Sequence, residues 1–220
     1  MDIGRSFSYV TEDQDWVKKI LLGGLISLIP FVGQIYLMGY VVEALRNVIA
    51  GRDVPLPEVT EDFGGKLLRG LLLSVITLIY FLPLIIVSTC SGIGSSVLPA
   101  VMQESDASGV AITSWGVCFG CISLILGILA GLHLPFVWSK YAETGEFGEA
   151  FKLGEIFEML KSNIGQTIIV ALVSGVAGTI ALLVGFVACG IGLIFTTFYA
   201  QLVTAFLYGS LYRRAKGTAL

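Results

Sequence analysis

Long stretches without Asp, Glu, Lys or Arg dominate the chain, at residues 20–42, 70–103, 107–139 and 162–212. A membrane-spanning helix needs about 20 predominantly apolar residues. The second and third stretches each fit one crossing. The fourth is long enough for two, with a turn at the glycines Gly190 and Gly192. The pattern predicts an all-α fold, a polytopic transmembrane helical bundle that forms one domain over residues 1–220.

The first stretch contains Pro30 near its middle. Proline has no backbone N–H and disfavours helix at the residue before it, so we expect a break near Ile29. Residues 16–50 would then form a short or re-entrant hairpin of two segments. This gives six membrane segments in total, and a single first crossing would give five.

The remaining chain divides by the same criteria. Residues 64–140 hold the third and fourth segments, with the Ser- and Gly-rich residues 90–114 predicted as an outer loop. Residues 162–213 hold the fifth and sixth segments. Between them, charged residues recur every third position in 145–161 while Phe147, Phe151 and Ile156 lie between the charges, which predicts an amphipathic helix.

Composition agrees with a membrane protein, because charged residues make up 13% of the chain and soluble domains average about 25%. The net charge of −3 gives no reason to expect a nucleic-acid partner. With six segments, all 13 Lys and Arg residues fall on one side of the membrane. With five, Arg5, Lys18 and Lys19 would lie opposite the others. The positive-inside rule therefore favours six segments in the cell membrane with both termini cytoplasmic.

Small residues recur along two of the predicted helices. Gly116, Gly120, Gly127 and Gly131 share one face of the fourth segment, and Ser174, Gly178 and Gly185 share one face of the fifth. Helices in lipid associate where small residues let their backbones approach. These residues are candidate helix-packing positions, either within the chain or against a membrane-protein partner or a second copy.

Few residues offer chemistry. The four cysteines, Cys90, Cys118, Cys121 and Cys189, fall near outer helix ends. They are open to three interpretations: apolar thiols, a disulfide from Cys90 to Cys118 or Cys121, or a metal or redox site. His133 is the one histidine and an ionisable group within a membrane segment, which makes it a candidate intramembrane polar site.

No phosphate-binding loop, metalloprotease motif or nucleophile elbow is present in the sequence. We therefore expect a non-enzymatic protein without a cofactor, most simply an accessory or scaffold subunit that packs with other membrane proteins in the bilayer. A small transporter is the alternative, since Pro83, Pro135 and the broken first hairpin resemble the interrupted helices that line transport sites. A lipid-active enzyme is the third hypothesis.

Several short motifs occur in a familiar order: Gly23-Gly24, Gly39-Tyr40, Leu56-Pro57, Tyr80-x-x-Pro83 and Tyr208-Gly209. Over nearly the whole chain, this pattern resembles the uncharacterised prokaryotic membrane family named domain of unknown function 4013. That family is distantly similar to the membrane region of some glycerophosphodiester phosphodiesterases. The resemblance implies a polytopic α-helical membrane protein and transfers no catalytic residue.

Overall fold

The computed structural model describes residues 3–52, 56–102, 106–187, 190 and 192–217. These residues contain helices and no strand, so the all-α prediction is confirmed. In chain order the helices are α1 (Ile3–Ser8), α2 (Trp16–Ser27), α3 (Val32–Ile49), α4 (Phe63–Met102), α5 (Asp106–Thr144), a 3₁₀ helix (Phe147–Phe151), α6 (Leu153–Ser162), α7 (Ile164–Val187) and α8 (Gly192–Ala215).

Four helices in the described part of the chain are long and apolar enough to cross a membrane: α4, α5, α7 and α8. The chain is therefore a helical membrane protein. The predicted break in the first stretch is confirmed, because α2 ends at Ser27 and α3 begins at Val32. Phe31 between them has a φ of 61°, a backbone angle that does not occur within a right-handed α-helix. Whether α2 and α3 cross the bilayer, and hence the count of six, stays a prediction.

The predicted outer loop at 90–114 is wrong for the described residues, since α4 continues to Met102 and α5 starts at Asp106. Several polar side chains among its described residues bond to the helix that contains them. Ser95 donates to the Gly92 carbonyl at 3.0 Å, and Thr113 donates to the Gly109 carbonyl at 2.9 Å. Such back-bonding satisfies hydroxyl groups inside a helix, so Ser and Thr do not end it.

The single amphipathic helix predicted at 145–161 is also wrong. A 3₁₀ helix ends at Phe151, and α6 begins only at Leu153. Lys152 between them has a ψ of 69°, which is outside the helical range and breaks the backbone hydrogen-bond ladder. The amphipathic character remains in α6, where Ile156 and Leu160 are buried.

The chain forms two compact units where the sequence predicted one domain. The first contains the described residues of Met1–Ile76 and Leu132–Leu220, and the second is Thr77–Gly131. Within the first unit, α8 contacts α1, α2, α3 and α7. Periodicity assigns helices but does not reveal which helix segments contact one another, so this division could not be predicted.

Glycines mark the closest helix crossings of the first unit. A Cβ on Gly39 of α3 would overlap the Lys66 carbonyl of α4, and a Cβ on Gly70 would overlap the Ile35 carbonyl. On α2, a Cβ on Gly23 or Gly24 would overlap phenylalanine rings of α8. These crossings therefore depend on residues without side chains, as helix packing in lipid commonly does.

In the second unit, Trp115 of α5 sets the contact with α4. Its indole lies over Gly94, where a Cβ would overlap the ring, and its Nε1 donates to the Ser91 carbonyl at 3.3 Å. Phe119, one turn further along α5, packs against Trp115 with ring centroids 4.4 Å apart and ring planes tilted by 30°. The side chain of Trp115 thus makes this contact of α5 with α4.

Candidate functional site

The most elaborate side-chain arrangement holds residues 56–61, the segment between α3 and α4. Five of its backbone carbonyls accept hydrogen bonds from four side chains. The donors are two lysines and two tyrosines: Lys19 to Leu56, Tyr40 to Pro57, Lys66 to Glu58 and Glu61, and Tyr36 to Val59. We call residues 56–61 with these four side chains the clamped segment.

Lys19 of α2 is the first anchor of the clamped segment and is 5% exposed. Its ammonium lies 2.8 Å from Asp13 Oδ2 and 3.0 Å from Glu58 Oε1, and it also donates to the Leu56 carbonyl at 3.3 Å. Asp13 is equally buried. A buried charge is tolerated when it is paired and hydrogen-bonded, and Lys19 meets both conditions.

Lys66 of α4 is the second anchor and is 1% exposed. Besides its two carbonyl bonds, its ammonium lies 3.5 Å from Glu43 Oε2. Arg69 approaches the same oxygen at 3.4 Å and also pairs with Asp62. One turn of α4 therefore ties α3 and the end of the clamped segment together.

A second charged group joins α5, the 3₁₀ helix, α6 and the end of α8. Lys140 is 4% exposed and pairs with Glu149 at 3.6 Å and with Glu155. Glu143 accepts from the Tyr212 hydroxyl at 2.8 Å and pairs with Lys216 at 2.7 Å. The Tyr141 hydroxyl donates to the Arg69 carbonyl at 3.2 Å, which links this group to the first one.

The hydrogen bond from Lys152 lowers the pKa of Glu149, and the hydrogen bond from Lys140 lowers the pKa of Glu155. A carboxyl whose pKa is lower in the folded protein stabilises the fold above its ordinary pKa of 4.5 and loses that effect as the pH falls through the folded value. We expect amide hydrogen exchange in Leu153–Ser162, corrected for intrinsic rates, to accelerate below about pH 4.5.

The variant Glu155→Gln should reduce this acid sensitivity, because it breaks the pair of residue 155 with Lys140 at every pH and leaves only the pairs of Glu149 to titrate. Glu158→Gln on the same helix is the matched control and should keep it, since Glu158 is exposed and forms no ion pair among the described residues. Identical pH profiles for Glu155→Gln and the native chain would contradict this assignment.

The ammonium groups of the clamped segment act as hydrogen-bond donors that position backbone. Carbonyl and carboxylate oxygens surround Lys19 and Lys66 and accept their hydrogen bonds. Among the described residues, no group of three His, Cys, Asp or Glu side chains is placed to hold a metal ion. The arrangement is suited to presenting a fixed surface that includes Glu58 and Glu61.

The predicted cysteine and histidine positions do not meet in one site. Cys90, Cys118 and Cys121 are free, exposed thiols, so no disulfide joins these three. Cys189 lies outside the described residues. His133 is half-buried in α5, two residues before Pro135.

The predicted small-residue faces differ from the glycines at the observed crossings. Within its own unit, a Cβ on Gly116, Gly120, Gly127, Gly131 or Gly178 would meet no atom within 4 Å, apart from neighbouring residues and the helix's own backbone. Packing at these glycines, within the chain or against a partner, therefore stays a prediction. Gly185 does approach another element, because a Cβ there would contact Leu193 across the α7–α8 turn. Ser174 has a buried hydroxyl with no hydrogen-bond partner among the described residues.

Sequence reasoning missed the clamped segment. The sequence did contain a signal for this contact. Tyr36 and Tyr40 are spaced to share one face of α3, and the segment that follows α3 contains Pro57. What the sequence did not reveal is that Lys19 and Lys66 are buried, because lysines that flank an apolar helix usually extend to water.

A family model described as a protein of unknown function (DUF4013) matches residues 22–191. The chain belongs to the DUF4013 family. No curated protein and no solved structure matches the chain. The expected distant likeness to glycerophosphodiester phosphodiesterases is not supported by these comparisons. Most of the motifs by which the sequence resembles the family make structural contacts in this DUF4013 protein. Gly23, Gly24, Gly39 and Gly209 lie at helix crossings. Leu56 and Pro57 lie in the clamped segment.

Proposed function

We propose that the DUF4013 protein is a non-enzymatic accessory or scaffold subunit that packs with other membrane proteins. The observation that supports this function is that Gly116, Gly120, Gly127 and Gly131 share one face of α5, where an added Cβ would meet no atom of their own unit within 4 Å. Other glycines make the helix crossings of the first unit, and this face of α5 would receive a helix of a partner or of a second copy. Close backbone approach at such glycines is how helices associate where the hydrophobic effect between them is absent.

The orientation that we propose is a multi-pass protein of the cell membrane with both termini cytoplasmic. The support is the partition of all 13 basic residues to one predicted side. Charged residues from separate stretches also pair with one another, as in the contacts of Lys19 with Glu58 and of Glu143 with Lys216. The clamped segment would then face the cytoplasm and add a docking surface there.

Replacing two of the open glycines tests the proposed association. We expect the double variant Gly120→Ile, Gly127→Ile to lose its partner or its second copy on purification in mild detergent, because two branched side chains prevent close approach of another helix. Native mass spectrometry of the purified protein measures the loss. Gly92→Ile is the matched control, since a Cβ on Gly92 also meets no atom within 4 Å. Unchanged complexes in the double variant would contradict the proposal, as would equal loss in the control.

A further inference from the structure

Contacts between α7 and α8 show where a bilayer that these two helices cross would end. The Thr196 hydroxyl of α8 donates to the Ala181 carbonyl of α7 at 2.7 Å, so these residues lie at the same level of the antiparallel pair. Seventeen residues before Ala181, α7 begins at Ile164, and seventeen residues after Thr196, α8 reaches Arg213. Neither helix contains a charged residue between these levels, and Lys161 comes just before α7. The apolar parts of both helices therefore end together, at what we call the boundary level.

The N-terminal part of the chain lies far from the boundary level. The Tyr9 hydroxyl donates to the Leu202 carbonyl at 2.6 Å, and Leu202 is eleven residues from the boundary level on α8. On α2, Gly23 lies against the Phe198 ring, and Lys18 comes five residues earlier on this helix. At 1.5 Å per residue, both contacts place the start of α2 about 15 Å from the boundary level. That depth is the middle of a hydrocarbon core about 30 Å thick.

Contacts with α7 give a similar depth. A cavity of about 340 Å³ lies between α1, α2, α7 and α8, and Phe7 and Ile20 line it together with Ala177 and Ala181. Ala177 is thirteen residues into α7, which is about 20 Å from the boundary level. Two spanning helices therefore hold α1 and the start of α2 at mid-membrane depth.

The surface near this depth differs between the two sides of the first unit. Four charged residues beside α1 and α2 are exposed: Glu12, Asp15, Lys18 and Glu58. On α7, which contains no charged residue, Leu172 is 64% exposed and lies only about 12 Å from the boundary level. Exposed charges and exposed hydrocarbon side chains thus lie at comparable depths on different sides of the same helix pair.

The exposed apolar part of α2 is also too short for a bilayer of ordinary thickness. It begins at Leu21, after Lys18, and the helix ends at Ser27, a rise of about 10 Å compared with about 36 Å for the 24 residues of α7. A bilayer adapts to a short apolar surface by thinning, at a small cost per ångström, whereas each charge placed in hydrocarbon is expensive. Thinning beside α2 is therefore favoured over burial of four charges.

A groove of about 460 Å³ on this side of the unit has the character of a phospholipid site. Its lining is polar at the start of α2 and apolar further along the helix, and consists of Gln14, Asp15, Val17, Lys18, Leu21 and Leu22. Asp15 and Lys18 form no ion pair with another described residue. One negative and one positive side chain at the polar end complement the ammonium and the phosphate of a zwitterionic headgroup, and the two leucines suit its acyl chain.

We propose that the first unit thins the bilayer beside α1 and α2, so that headgroups of zwitterionic phospholipids contact Asp15 and Lys18 at the depth of the middle of α8. Glu58 of the clamped segment lies in the same thinned region. The interaction requires only that α7 and α8 cross the bilayer. It is independent of the proposed association through α5 and of the side on which the termini lie.

Cysteine reactivity in nanodiscs, where both membrane surfaces are accessible, tests the depth of this surface. In a full chain with Cys90, Cys118, Cys121 and Cys189 replaced by Ser, we compare Lys18→Cys, Leu172→Cys and Lys161→Cys, all at exposed positions. A charged maleimide should modify Lys18→Cys within about tenfold of the rate for Lys161→Cys at the membrane surface. Leu172→Cys should react at least about a hundredfold more slowly, because the reactive thiolate does not form in hydrocarbon.

Fluorescence quenching of Trp16 identifies what fills the thinned region and leaves Lys18 in place. With Trp115→Phe and Trp138→Phe, nanodisc phosphatidylcholine with a nitroxide on its headgroup should quench Trp16 more than the same lipid labelled near the end of its acyl chain. The matched control is Leu172→Trp in a chain whose three native tryptophans are replaced by Phe, and it should give the opposite order.

Three results would overturn the proposal. The first is equal reactivity of Lys18→Cys and Leu172→Cys, since both residues would then lie in hydrocarbon or both in water. The second is stronger quenching of Trp16 by the chain label. The third is no quenching of Trp16 by either label, which would mean that water without lipid headgroups fills the region.

Discussion

Replacing Lys19 by Met is expected to lower the free energy of unfolding by about 3–5 kcal/mol, the usual cost of removing one partner from a buried ion pair. In the native chain the Lys19 ammonium lies 2.8 Å from Asp13 Oδ2, and the substitution leaves this carboxylate buried without its cation. It also removes the donor to Leu56, so the clamped segment should loosen. The measurement is equilibrium unfolding in mixed micelles, together with the rate of protease cleavage between residues 52 and 62.

Lys18→Met is the matched control for this result, because the two lysines are adjacent on α2 and differ in burial. Lys18 is exposed, and its replacement should change the unfolding free energy by no more than about 0.5 kcal/mol. If both variants unfold alike, the buried pair does not stabilise the fold. If Lys19→Met is unstable but residues 52–62 remain protected, Lys19 does not anchor the clamped segment.

Replacing Gly70 by Ala is the second substitution with a large expected effect. The added Cβ would overlap the Ile35 carbonyl, and it would also lie 2.6 Å from the Gly39 backbone nitrogen. Because backbone atoms cannot rotate away as a side chain does, α3 and α4 must move apart. We expect a loss of about 1–3 kcal/mol, the range for overpacking, measured by the same unfolding assay.

Gly64→Ala on the same helix tests whether the effect comes from the crossing. A Cβ on Gly64 meets no atom within 4 Å. Alanine is favoured over glycine in a helix by about 0.5–1 kcal/mol, so this variant should be neutral or slightly more stable. Opposite signs for the two substitutions would locate the contact at Gly70. A stable Gly70→Ala protein would contradict the observed α3–α4 crossing.

Helix positions were predictable where a single residue decides them. Pro30 lies between α2 and α3, and Gly190, with a φ of 79°, lies between α7 and α8; neither residue depends on a distant partner for its effect on the backbone. The prediction failed where local bonding decides the outcome. Ser95 and Thr113 read as loop residues, yet their hydroxyls bond to carbonyls one turn away and permit helix.

The candidate site was less predictable than the helices. The clamped segment joins Lys19 to Leu56 across 37 positions, and no spacing within either stretch indicates that contact. Glycine spacing was equally uninformative about contacts. Gly116 and Gly120 belong to a periodic face that was predicted to pack, whereas Gly39, which belongs to no such face, makes the close crossing of α3 with α4. Periodicity shows which residues share a face and does not show what lies against it.

The sequence by itself determined that this DUF4013 protein is helical and belongs in a membrane, and it located the first helix break. These properties follow from free-energy costs that depend on a single residue and not on its tertiary contacts, such as the cost of placing a charge in hydrocarbon or a proline within a helix. Only the tertiary structure decided that Lys19 and Lys66 are buried, that Gly39 and Gly70 meet, and that residues 77–131 form a separate unit. Those outcomes depend on distances between residues far apart in the chain, which packing alone brings together.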